Sequence, residues 1–184
     1  MNKKITKNNK MRIKANNAEN ILVSLIRDGG FTDEELRLFS VWCVREAMKS
    51  CEVNIDLCTK ACDIAEAFAN GNATNGRLEN IRLELKSYYE LHRDENRTTK
   101  ENADFAIHVA TQWACSENVS KWVDDIYTCP AKQAAGICQL AYAWSCHDGS
   151  IDSEWVNKSI IYHTLVAYEQ ILHLVDLKKN RNKN

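Results

Sequence analysis

Proline and glycine are scarce in this chain: one proline and six glycines among 184 residues, where average usage would place roughly 22. So few breakers exclude collagen-like, turn-rich sandwich and low-complexity linker architectures, and favour a chain that is mostly helix. Long apolar runs are missing as well. None reaches the roughly 18 residues that a membrane-spanning helix needs, so no membrane partner is expected. The basic start, MNKKITKNNKMRIK, has no apolar stretch behind it and no small-residue cleavage site. It does not read as a secretory signal, and a cytoplasmic location is expected. No glycine-rich phosphate loop is present, since Gly71 and Gly76 read as helix punctuation. No cofactor is implied, and no stretch sustains strand alternation.

The composition that remains is ordinary for a globular protein, 45 % hydrophobic and 27 % charged. The length suits one domain with a real core. Eight cysteines are many, yet the chain is too long and too helix-patterned for a disulfide mini-scaffold. Without a signal peptide the thiols are expected reduced and buried. The formal charge of −1 conceals an asymmetry: ten of the 24 basic residues fall in residues 1–14 and 178–184, which hold no acid. That leaves 14 basic against 25 acidic residues between them, a body near −11. Residues 1–14 and 178–184 read as basic disordered tails around an all-helical domain at 15–177. The tails are short and lack aromatic residues for stacking, and the body repels phosphate, so no specific nucleic-acid binding is expected.

The spacing of apolar residues predicts an all-α, single compact domain of about seven helices. The first is expected over Ala18–Asp28, stopped by Gly29-Gly30. The second opens with a capping box, Thr32 with Glu35, and carries Leu36, Phe39, Cys43 and Ala47 at helical steps. The third covers Asp56–Asn70, with Gly71 as its C′ residue, and the fourth starts near Thr74. His92–Arg97 reads as a solvated turn. Thr98 with Glu101 forms a second capping box for the fifth helix. Pro130 suits the N1 position of the sixth, which should stop at Gly149. Asp152 can cap the last helix, Ser153 to about Leu177.

Few residues suggest chemistry. Cys58 and Cys62 lie one turn apart on a helix face and could hold half a zinc site, with Cys146 and His147 as the other half. The opposing reading is small apolar core residues, favoured by the lack of a C-x2-C knuckle. His147-Asp148 is also the kind of dyad used by helical metal-dependent hydrolases, with His92, His108, Asp152 and Asp176 nominally available. That pair, however, falls where a helix should end. His108, His163 and His173 lie within helical patterns and read as satisfied structural residues. Trp42, Trp113, Trp122, Trp144 and Trp155 read mainly as core. Trp122, beside Asp124-Asp125, is the one expected to be exposed as an interface anchor.

One resemblance goes further. LRLFSVWCVREAMKSC and TKACDIAEAFANGNATNGRL, within residues 36–82, resemble a helical immunity-protein family of bacterial polymorphic-toxin loci that also occurs in phage genomes. Leu36, Arg37, Leu38, Phe39, Trp42, Cys43 and Arg45 match its first block. Ala65, Phe68, Ala69, Gly71, Ala73 and Thr74 match its second. The resemblance implies a stoichiometric, non-enzymatic inhibitor of a toxin or, in an anti-CRISPR-like role, of a defence effector. It supplies no catalytic set. The acidic body adds a mechanism, occlusion of a basic cleft on a protein partner. Asp94, Glu95, Asp124 and Asp125 are the candidate contact acids beside Trp122. The alternatives are a metal-dependent helical hydrolase and a structural Cys/His zinc domain. The oligomeric state stays open.

Overall fold

Helix boundaries here are set largely by side chains that satisfy orphan backbone groups. At Thr32 the hydroxyl accepts the Glu35 amide at 3.2 Å and the Glu35 carboxylate accepts the Thr32 amide at 2.8 Å. Thr98 and Glu101 repeat the arrangement at 3.3 and 2.7 Å. Both capping boxes sit where the sequence places them. Between the third and fourth helices the chain makes a Schellman turn. Asn72 N–H donates to Ala67 O and Gly71 N–H to Phe68 O, with Gly71 at φ 73°. The Thr74 hydroxyl then accepts the Arg77 amide and opens the next helix.

The computed structural model describes residues 7–51, 55–91, 98–122, 129–146 and 153–181. Among them are seven helices and no strand: α1 Lys7–Asp28, α2 Asp33–Ser50, α3 Asp56–Ala69, α4 Asn75–Leu91, α5 Thr99–Ala114, α6 Pro130–Ser145 and α7 Ser153–Arg181. Pro130 is the first residue of α6, as its missing amide allows. That helix ends at Ser145 with Cys146 as its C-cap. Gly149 and the expected caps and turns at Asp152 and His92–Arg97 lie outside the described residues. No described helix is long and apolar enough to cross a membrane.

The termini differ from the sequence reading. α1 begins at Lys7 rather than Ala18, so residues 7–14 belong to a helix instead of a frayed tail. Lys, Arg, Met and Ala are good helix formers, and basic charge alone does not prevent a helix. α7 runs on to Arg181 rather than ending near Leu177. Lys178, Lys179 and Arg181 stand in its last turn, where cations complement the negative end of the helix dipole. Arg181 also donates to Gly30 O at 2.7 Å and lies 3.3 Å from the Glu35 carboxylate.

α2, α5 and α6 form the centre. α5 lies against α6, and each carries small buried residues, Ala106 and Ala110 on α5 and Ala131 and Ala135 on α6, of the kind that lets helices approach closely. α3 and α4 cover one side of this centre, and α7 with α1 covers the other. Arg37, wholly buried, ties the chain after α5 to the start of α2. Its guanidinium donates to Ala114 O, Ser116 O and Glu117 O at 3.1, 2.7 and 3.0 Å and to the Asp33 carboxylate at 3.0 Å. It also lies 4.9 Å over the Phe68 ring.

Candidate functional site

Three of the residues that promised chemistry, Cys58, Cys62 and His108, are sealed in the core. Cys58 and Cys62 are both buried on α3. Cys58 Sγ lies 3.6 Å from His108 Nδ1, and His108 Nε2 lies 2.7 Å from Leu85 O. Donation from Nε2 to that carbonyl leaves Nδ1 as the acceptor for the thiol, so each polar atom in the line has a partner. Burial pushes the Cys58 thiol up to about 11, which keeps it protonated and unreactive. Tyr88 covers the imidazole at 4.5 Å. Cys62 and Cys115 are likewise pushed up by burial. Cys146, by contrast, is exposed at the end of α6. His147, Asp148, His92 and Asp152 lie outside the described residues, and Asp176 pairs with Lys179 at 3.4 Å. Among the described residues no three His, Cys, Asp or Glu side chains converge to hold a metal.

The interface bets fare unevenly. Asp94, Glu95, Asp124 and Asp125 lie outside the described residues. Trp122 is half-buried against the core rather than exposed. Its indole covers apolar surface at the end of the chain that Arg37 and Asp33 hold in place, and Asp33 Oδ1 accepts the nearby Ser120 amide at 3.0 Å. Trp113, on α5, is the more exposed of the two.

A different feature remains open to a ligand. A cavity of about 180 Å³ lies between α2 and α7 with α6 beneath it. α2 contributes Trp42, Cys43, Glu46, Ala47 and Ser50, whose three- and four-residue steps put them on one face. α7 contributes Leu165, Val166, Glu169 and Gln170 on the same logic, and α6 contributes Cys138 and Tyr142. The Trp42 wall is braced from behind by His173, whose ring stacks on it at 4.0 Å and 5°. Burial holds His173 below the usual histidine value, with Asp176 and Glu46 opposing, so the stack is between neutral rings at pH 7.

Gln170 is fixed at the cavity edge: its Nε2 donates to Ala135 O at 3.0 Å and its Oε1 accepts from Gln139 at 2.7 Å. Cys43 and Cys138 are held well above the ordinary thiol value by burial, so neither is a nucleophile. The cavity therefore has an apolar, chemically inert floor, an aromatic wall and two carboxylates, Glu46 and Glu169, one from each flanking helix. Its volume is below the roughly 300 Å³ at which pockets begin to enclose drug-sized ligands. One long side chain fits it better than a cofactor. The signal for this site was divided in the sequence: Glu46 follows Trp42 by four residues and Glu169 follows Leu165 by four. Nothing local says that the two segments lie side by side. Comparison of the chain with protein families, curated proteins and solved structures finds no match.

Proposed function

We propose that this protein is a non-enzymatic, stoichiometric inhibitor that binds another protein, of the immunity or phage counter-defence kind. On this reading it receives a basic side chain of its target in the α2–α6–α7 cavity. The observation that carries the reading is a cavity of about 180 Å³ whose lining includes Trp42, Tyr142 and two glutamates, Glu46 and Glu169, from different helices. With the cations of α1 and α7 folded into the body, residues 7–181 hold 25 acidic against 21 basic residues, so steering of a basic target would come from the carboxylates at the cavity itself. The resemblance of residues 36–82 to helical immunity proteins supports it too, and Trp42 and Cys43 of that stretch line the cavity. Work in the cytoplasm on a protein partner, without a cofactor or specific nucleic acid, follows from the same reading.

The test is affinity capture from cells that carry the gene, with the wild-type chain and Glu46→Gln/Glu169→Gln in parallel. The captured protein is then titrated with purified inhibitor. A one-to-one loss of its activity, with binding weakened at least tenfold by the double substitution, is the expected result. Equal capture by both chains, or a captured protein whose activity does not change, overturns the proposal.

A further inference from the structure

α7 is apolar on two opposite faces. Ala167, Gln170 and Leu174 are buried against the body of the protein. On the other side Ile161, Leu165, Tyr168 and Leu172 are 41, 56, 44 and 63 % exposed. Their steps of four, three and four residues place all four within a narrow stripe along one side of the helix. This is the seam spacing of a two-helix coiled coil rather than the broader stripe of a helix lying on a core. The row offers roughly 400 Å² of apolar surface, within the range of the largest patches on soluble monomers, which are often functional.

We infer that this row is the seam of a homodimer, in which α7 packs antiparallel against α7 of a second copy. The row is complementary to itself in that sense. Ile161 lies opposite Leu172 of the second copy and Leu165 opposite its Tyr168, so each layer joins two apolar side chains and the bulky ring meets a smaller partner. The flanking positions also fit: Tyr162 falls opposite Glu169 of the second copy and Thr164 opposite its Ile171, with no like charges facing. A parallel pairing would place Tyr168 on Tyr168 and, one heptad step beyond Leu165 and Leu172, Lys158 on Lys158 and Lys179 on Lys179. The antiparallel sense separates both lysine pairs. Two copies of the row bring about 800 Å² together, and the flanking Tyr162, Thr164 and Glu169 carry the contact toward the roughly 1,000 Å² that specific interfaces clear. The inference rests on exposure along α7 and not on the inhibitor reading, although the two surfaces meet at Leu165 and Glu169. Ile161 and Leu172 do not line the cavity.

Sedimentation velocity on the full chain tests it. Wild type is expected to sediment at twice the 21.0 kDa chain mass. Ile161→Lys and Leu172→Glu are each expected to sediment as monomers with unchanged far-UV circular dichroism and unchanged thermal midpoints. Mixed in equal amounts, the two variants should pair again, because only the antiparallel register sets residue 161 opposite residue 172 and so joins the new lysine to the new glutamate. A wild-type chain that stays monomeric to about 100 µM overturns the inference and leaves the face to another protein. A dimer that survives both substitutions places the contact elsewhere, and a mixture that stays monomeric refutes the antiparallel register.

Discussion

Arg37→Met removes a buried cation that holds two distant parts of the chain together, and its cost follows from the contacts. The guanidinium satisfies three backbone carbonyls, one at the last residue of α5 and two just beyond it, and shares the Asp33 carboxylate, all within 3.1 Å. Removing one partner of a buried charge pair costs about 3–5 kcal/mol. Two features set the expectation at the lower end. Asp33 keeps 27 % of its side chain in solvent, so it is not left as a bare buried charge. Arg37 Nε also finds no acceptor, so one donor is already unpaid in the native state. Methionine refills most of the volume and retains contact with Phe68. About 3 kcal/mol is therefore expected, which lowers the midpoint of a domain this size by roughly 6–12 °C. Urea unfolding followed by circular dichroism reads it as a fall in midpoint at constant slope. Lysine at the same position keeps the charge but not the fork, and should recover less than half of the loss. A loss below about 1 kcal/mol would mean that the carbonyls are as well served by water and that Arg37 is not the tie described.

Ending the chain at Leu177 removes the Arg181 contacts to Gly30 O and Glu35 and should cost about 1 kcal/mol in thermal unfolding; no change would restore the picture of a dispensable basic tail. In a thiol titration of the native protein, Cys146 should react at once and Cys51, half-buried, more slowly. The other six should wait for denaturant, and rapid reaction of Cys58 would contradict its sealed pairing with His108. Burial holds His163 and His173 below the ordinary value of 6.5. The unfolded chain therefore binds protons first as the pH falls, so their contribution is intact above about 6.5 and declines below it. His173→Phe keeps a ring against Trp42 but removes one titrating group, and should flatten the loss of stability between pH 7 and pH 5. An identical slope in the variant would show that His173 does not titrate as described.

What was legible in the sequence was local. Both capping boxes and the corner from Asn70 to Thr74 are specified by residues within one turn of each other, and they form as read. The stop of α1 at Asp28 was legible and its start was not; nor was the end of α7, because Arg181 is held by Gly30 and Glu35, some 150 residues away. Arg37 reads as an ordinary polar position between Leu36 and Leu38. Its burial depends on carbonyls from about 80 residues later. Trp122 looked exposed beside two acids, yet Asp33 and Arg37 draw that segment onto the core. The spacing of Ile161, Leu165, Tyr168 and Leu172 was present in the sequence. It was masked because α7 is apolar on its inner side too, and a helix apolar all round reads as buried.

The net charge of −1 takes on a different meaning once these residues have places. The C-terminal cations are not a separate tail: Arg181 and Lys179 lie against Glu35 and Asp176. Some acids are held at short range, as where Arg45 meets Asp63 and Glu66 at 2.7 and 3.0 Å. Glu46 is different. Its neighbour Lys49 is 3.9 Å away and exposed, a pair worth little and easily displaced by an incoming cation. Attraction to a basic target should then rest on the Glu46 and Glu169 carboxylates during approach, and on stem contacts with Trp42 and Tyr142 once bound. Salt screens the first and barely touches the second. Raising salt should therefore slow association with the captured target severalfold while changing dissociation little, measurable by surface plasmon resonance. The opposite split, with salt accelerating dissociation, would show that the bound state is held by exposed ion pairs and not by the cavity.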